Sequence, residues 1–168
     1  MGSHTSRHTP RDTLDALRRI VQALRESSRR AEQRLGITGA QLFVVEQLAE
    51  TPHQSLNELA ARTFTHQSSV STVVARLVED GLVSRHYSET DARRLELVLT
   101  ARGRRLAAET TGAAQGRLIA AVQSLPLRSR RQLAALLRRV VLAMDAADEM
   151  PRMFFDEGRK RRSVTRHA

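Results

Sequence analysis

The chain contains no cysteine, no tryptophan and one lysine, Lys160. The absence of cysteine excludes structural disulfides, thiolate nucleophiles, cysteine-ligated zinc and a thiol-oxidation switch together. Aromatic residues make up only 3% of the chain, so its apolar contacts must come from Leu, Val, Ile and Ala, which suit packed helices. No apolar run reaches the roughly 18 residues that a membrane-spanning helix needs. The N-terminal stretch MGSHTSRHTPRD also lacks the apolar segment of a secretory signal. The histidines (His4, His8, His53, His66, His86 and His167) show no metal-ligand spacing. No acid–base pair, nucleophile constellation or Gly-rich phosphate loop is evident, so the expectation is a non-enzymatic chain without metal or cofactor. Composition predicts a soluble intracellular protein.

What is present is positive charge. A chain of 168 residues, 40% hydrophobic and 27% charged, is expected to fold as one domain with its own core. Its formal net charge is +10. That excess points to a polyanionic partner, either nucleic acid or an anionic membrane surface. A GC-rich coding sequence accounts for the preference for arginine over lysine, but not for the excess of bases over acids. Arginine's planar fork suits phosphates and guanine edges.

Apolar or small residues recur at Leu14, Leu17, Val21, Leu24, Ser28, Ala31 and Leu35, alternately three and four apart, and predict a helix over about 12–35 that ends at Gly36. Its narrow seam fits equally a core face and a face against a second subunit. Thr38 with Gln41, and Ser55 with Glu58, have capping-box spacing and open two short helices, QLFVVEQLAE and LNELAAR. A third helix, QSSVSTVVARLVED, stops at Gly81. The last two have the spacing of a helix-turn-helix, with Val70, Val73, Val74 and Leu77 pointing inward. Two β-prone runs around a polar loop follow, predicting a hairpin in which Leu95, Leu97 and Leu99 bury one face. Thr100 caps a further helix, read as continuous from Ala101 to Leu125. Pro126 separates it from a last helix running up to Pro151. Residues 1–11 read as a flexible N-terminus and 151–168 as a basic tail containing RKRR, a solvated segment or a nonspecific phosphate contact.

The expected fold is therefore mainly α with a small β-hairpin wing. It is a winged helix-turn-helix at about 38–100, flanked by terminal helices at about 12–35 and 101–149, in one domain over 12–150. In such folds the second helix of the pair enters the major groove and the hairpin reaches the backbone or the minor groove. Gln67, Ser68, Ser69, Ser71, Thr72 and Arg76 are the candidate contacts on that helix, and His66 stands at its start. On its own, an Asp-x-Arg in a hairpin is a surface ion pair worth under about 1 kcal/mol. Behind a helix of this kind, Asp91, Arg93 and Arg94 become wing candidates.

The run QSSVSTVVARLVEDGLVSR followed by DARRLELVLTARG resembles the multiple antibiotic resistance regulator (MarR) family. That family's wing motif is an Asp, one residue, an Arg, a strand closing on Leu-Thr, and a Gly shortly after. Here these are Asp91, Arg93, Leu99, Thr100 and Gly103. The resemblance covers roughly residues 12–148 in element order, and its specific part is 55–103. The loop HYSETDARR lacks the proline that many members carry there.

The resemblance implies a homodimer built from the terminal helices; the dimer binds double-stranded DNA at a pseudopalindromic operator as a transcriptional regulator, usually a repressor. It implies that Asp91 braces Arg93 for the minor groove, with Arg94 on the backbone. It further implies a small aromatic or phenolic anion as effector, bound between the dimerisation helices and the DNA-binding lobe. Arg85 and His86 are the candidates for lining that pocket. A cytoplasmic, nucleoid-associated location is the corollary. The competing reading, from the basic charge, is an architectural protein that coats DNA without sequence preference.

Overall fold

The computed structural model describes residues 10–110, 112–146 and 151–156. The predicted RKRR cluster lies outside them. Seven helices and one hairpin follow in the order α1 (Pro10–Leu35), α2 (Gly39–Glu50), α3 (Leu56–Thr63), α4 (Gln67–Glu79), β1 (Val83–Tyr87), β2 (Leu95–Leu99), α5 (Ala101–Ala108), α6 (Ala114–Ser124) and α7 (Leu127–Ala143).

Local chemistry sets the starts of the short helices. The Thr38 hydroxyl accepts from the Gln41 N–H at 3.1 Å while the Gln41 side chain accepts from the Thr38 N–H at 2.9 Å. Ser55 and Glu58 close the same reciprocal box on α3. Thr100 caps α5 by accepting from the Gly103 N–H at 3.0 Å. At the end of α4, Gly81 takes φ +67°, a left-handed conformation that favours glycine and turns the chain into β1.

α2 is the axis of the core, with Ala40 to Val45 and Leu48 all buried. Leu59, Val70, Val73, Val74 and Leu77 pack against it from the helix-turn-helix. Each of these five has a relative exposure of 0%, and the four on α4 follow its helical period. The hairpin is antiparallel with Val83 opposite Leu99 and Tyr87 opposite Leu95. Its base is extended by Gln54, whose carbonyl accepts from the Leu97 N–H at 2.7 Å.

Three expectations need correction. Leu97 and Leu99 are buried, but Leu95 is 42% exposed. It sits beyond the core beside Tyr87, itself 71% exposed, so strand alternation there has nothing to pack on. The helix expected over 101–125 is two helices. Gly112 adopts φ +89°, and the freed N–H groups at the start of α6 go to other elements. Ala113 donates to the Glu46 carboxylate at 2.8 Å and Ala114 to the Ser27 hydroxyl at 3.1 Å, so tertiary partners replace the broken helical bonds. Pro151–Asp156 is no free tail, because Met153 is 3% exposed and belongs to the core.

The terminal helices divide along their length. Leu24, Ser28 and Ala31 of α1 are buried, whereas Leu14 and Val21 of the same seam are 49% and 41% exposed. None of α7 is buried; Leu136, Val140 and Leu142 are among its exposed apolar residues.

Candidate nucleic-acid interface

The exposed stripe of α4 is built by exclusion. Its valines and Leu77 face α2, which leaves Gln67, Ser68 and Thr72 exposed and Ser71 half-buried. The Thr72 hydroxyl bonds the Ser68 carbonyl at 3.2 Å, so it rests on the helix and can still accept from outside. His66 occupies the N-cap position but its side chain makes no cap bond. The first-turn amides of α4 therefore point outward with the positive end of the helix dipole behind them.

Two of the expected α4 contacts are not on this stripe. Ser69 is 8% exposed, and its hydroxyl donates to the Pro151 carbonyl at 3.3 Å. Arg76 is held by Asp156: its guanidinium reaches the carboxylate at 2.6 Å and the backbone carbonyl at 3.1 Å. The Asp156 side chain is only 6% exposed, and burial pushes its carboxyl up against the pull of Arg76 and Arg152. Sequence periodicity left Arg76 partly outward, but Ser69 is buried rather than on the outer side. Periodicity could not register a partner some eighty residues away.

The wing loop is a built turn. The Ser88 N–H donates to the Arg94 carbonyl at 2.8 Å and the Arg94 N–H to the Asp91 carbonyl at 2.9 Å. Asp91 also accepts from the Arg93 backbone N–H at 3.0 Å, so its carboxylate braces the turn rather than the Arg93 guanidinium. Arg93 is exposed and its guanidinium makes no ion pair among the described residues. Arg94 differs. It reaches the Glu58 carboxylate at 2.8 Å, the His53 carbonyl at 3.3 Å and Glu96 at 3.5 Å.

Glu96 and Glu58 complete a network that the sequence reading missed. Hydrogen bonds from Ser88 and His53, with Arg94 nearby, hold the Glu96 carboxyl below the usual range. The Ser55 N–H and hydroxyl do the same for Glu58, assisted by Arg94. These bonds tie the wing to the start of α3 and so fix the angle at which Arg93 is presented. The one available signal was Glu96 itself, an acid inside an otherwise apolar strand.

Arg85 and His86, expected near a ligand pocket, are exposed on β1; the His86 ring bonds Ser84 at 2.8 Å. They line neither of two adjoining cavities on the α6 side. One, of about 470 Å³, lies between Phe43, Arg62, Phe64 and Ile119. The other, of about 540 Å³, lies between the α3–α4 turn, α6, Arg130 and Pro151–Phe154. In the second, Gln115 Oε1 and Arg130 Nε are buried without a hydrogen-bond partner among the described residues.

Known proteins place this geometry. Residues 35–94 match the model of the MarR family. The HTH-type transcriptional repressor Rv2887 of Mycobacterium tuberculosis is 34% identical over 91 residues, covering 54% of this chain and 66% of that protein. The repressor MdtR of Bacillus subtilis is 28% identical over 88 residues, covering 52% and 57%. The chain thus spans less than two thirds of the length of these relatives. In three dimensions it resembles the Staphylococcus aureus MepR–DNA complex, with a TM-score of 0.52 at 21% identity, over 78% of this chain and 97% of that one. Bordetella bronchiseptica BpsR, whose DNA binding is regulated by 6-hydroxynicotinic acid, gives 0.52 at 24% identity over 88% and 100%. The helix-turn-helix with its hairpin is a winged-helix fold, and residues 35–94 of this chain are similar to the MarR family.

Proposed function

We propose that the protein is a sequence-specific transcriptional regulator, acting as a repressor, that binds double-stranded DNA as a homodimer. The observation that carries the proposal is the sorting of the wing arginines. Arg94 is consumed in fixing the loop, and Arg93 is left exposed at its tip with no ion pair among the described residues. A guanidinium presented in this way suits the negative potential of a narrow minor groove. The stripe of Ser68, Ser71 and Thr72, with the start of α4, suits base edges and phosphates of the adjoining major groove. The uncovered apolar faces of α1 and α7 supply the dimer contact. Two-fold symmetry then sets half-site centres about 10 bp apart.

The cavity bounded by Gln115 and Arg130 is the effector site in this reading. A buried acceptor and a buried donor, each without a partner among the described residues, fit a small ring bearing a hydroxyl and a carboxylate, with Phe64 and Phe154 beside it. Its basic residues Arg130 and Arg152 favour an anion. That BpsR answers to a hydroxylated aromatic acid supports this choice of chemistry.

Selection of bound fragments from the source genome by the purified protein tests the function. A regulator recovers a few related pseudopalindromes and keeps its complex against excess unrelated DNA. Uniform recovery, lost to competitor, would instead establish the coating protein that the net charge alone suggests.

A further inference from the structure

Pro151–Asp156 belongs to two features at once. On one side it lies along α4. The Pro151 carbonyl accepts from the Ser69 hydroxyl at 3.3 Å, and the carboxylate and carbonyl of Asp156 hold the Arg76 guanidinium. Ser69 and Arg76 are two turns apart, roughly 10 Å along the helix. On the other side, Pro151, Arg152 and Phe154 form a wall of the cavity that contains Gln115 and Arg130. Met153 is buried in the core between these contacts. The segment thus touches both the cavity and the helix proposed to read DNA.

Its seat depends on charge. The Asp156 side chain is 6% exposed, so its carboxylate is tolerated there only while cations face it. Those cations are Arg76 on α4 and Arg152 on the cavity wall. Backbone strain acts the other way, because Phe155 holds φ +58°, a left-handed conformation costly for a bulky side chain. An anion entering the cavity beside Arg152 brings a like charge towards Asp156 and engages a cation that compensates it. Both effects weaken the hold of Asp156 on Arg76, and release relieves Phe155.

We propose that Pro151–Asp156 is a strap that couples the cavity to α4: an aromatic anion in the cavity draws Arg152 from Asp156, unseats the strap from Ser69 and Arg76, and so lowers DNA affinity. This rests on the effector site and the DNA binding proposed above. Asp156 and Arg152 are then positioning residues that act on DNA through α4. Linkage makes the coupling reciprocal, so bound DNA favours the seated strap by the factor with which the anion opposes it.

The chain's lack of cysteine makes strap release directly readable. Met153→Cys places a single thiol beneath the strap, and its rate of modification by a thiol reagent reports opening. Val74→Cys, at a fully buried site on α4, reports opening of the whole core instead. The probes are meta- and para-hydroxybenzoic acid, and the duplex is the tightest one that the full chain recovers from a random-sequence pool. Saturating probe should speed modification of Met153→Cys roughly tenfold, and the duplex should slow it, with Val74→Cys unresponsive to probe. The same probe should lower the affinity of the unaltered chain for the duplex about tenfold. Asp156→Asn keeps the side chain's shape without its charge; it should still bind probe in calorimetry but respond less than about twofold. If Met153→Cys fails to fold, hydrogen exchange over residues 151–156 of the unaltered chain gives the same reading. A bound probe that leaves the strap protected, equal exposure of Val74→Cys, or a full response in Asp156→Asn each overturns the coupling. If neither probe binds the unaltered chain, the effector site itself is overturned and the coupling with it. Failure to enrich any duplex is a separate result and overturns the DNA-binding function.

Discussion

Gly103→Ala is expected to destabilise the protein even though it places the best helix former inside a helix. A methyl built at Gly103 stands 2.1 Å from the Leu82 carbonyl oxygen, 3.1 Å from its carbonyl carbon and 3.2 Å from Leu99 Cδ2. An ordinary carbon–oxygen contact is about 3.3 Å or more, so α5 must retreat from the hairpin base by about 1 Å. The Leu82 oxygen also accepts from the Thr100 N–H at 3.0 Å and its hydroxyl at 3.3 Å, and retreat weakens both bonds. Overpacking costs about 1–3 kcal/mol. The loosened bonds add about 1 kcal/mol, while the better helix propensity returns about 1 kcal/mol. The net loss is about 2 kcal/mol, a large fraction of a typical domain's stability. Gly116→Ala is the control, since a methyl there meets only Phe43 at 3.5 Å. That is normal contact, so Gly116→Ala should gain about 0.5–1 kcal/mol. Urea unfolding of both at one protein concentration, with the m-value monitored, separates them. If Gly103→Ala matched or exceeded the wild type, the close approach of α5 to the wing base would be refuted, and with it the packing reason for the motif's glycine.

Further outcomes follow from the same geometry. Arg93→Ala should weaken DNA binding by about 1–3 kcal/mol with dimerisation unchanged, as measured by fluorescence anisotropy and light scattering. Arg94→Ala should cost about 1 kcal/mol of stability, because Arg94 and its nearer partner Glu58 are both partly exposed, and should act on binding only by loosening the wing. Leu136→Glu with Val140→Glu on the uncovered α7 face should give a monomer in light scattering. Burial raises the Glu46 carboxyl above 4.5, so what this group adds to stability is present below pH 4.5 and is lost as pH rises through its folded value. Glu46→Gln should therefore gain on the wild type as pH climbs from 4 to 7, read by unfolding midpoints across that range. A difference independent of pH would exclude Glu46 as the titrating group.

Most of the winged helix was legible because its determinants are local. The valines of α4 follow the 3.6-residue period, and the two capping boxes need only residues three apart, which suffices to set α2 and α3. Where the reading failed, the deciding partner was distant in sequence. Asp156 pairs with Arg76 across the fold, and Glu46 and Ser27 take the N–H groups freed where the long helix breaks at Gly112. Leu95 failed for the complementary reason, because alternation predicts which face a residue points to but not whether anything covers it. Arg93 and Arg94 are adjacent and chemically identical, so only the position of Glu58 distinguishes them.

The placement of the arginines bears on specificity more than the net charge does. Within the winged helix Arg62 is paired with Glu50, Arg76 with Asp156 and Arg94 with Glu58. Beside it, Arg102 and Arg104 donate to the carbonyls of Asp80 and Leu99. Each of these cations is engaged with the protein's own oxygens, so the +10 is not an evenly available coat. If the engaged cations stay with their own partners, the slope of log K against log salt should stay well short of the value for the whole excess. If the whole excess met DNA, the slope would approach about −9. A salt titration on a selected duplex decides between them, and a slope near the steeper value would refute the partition and favour coating over reading.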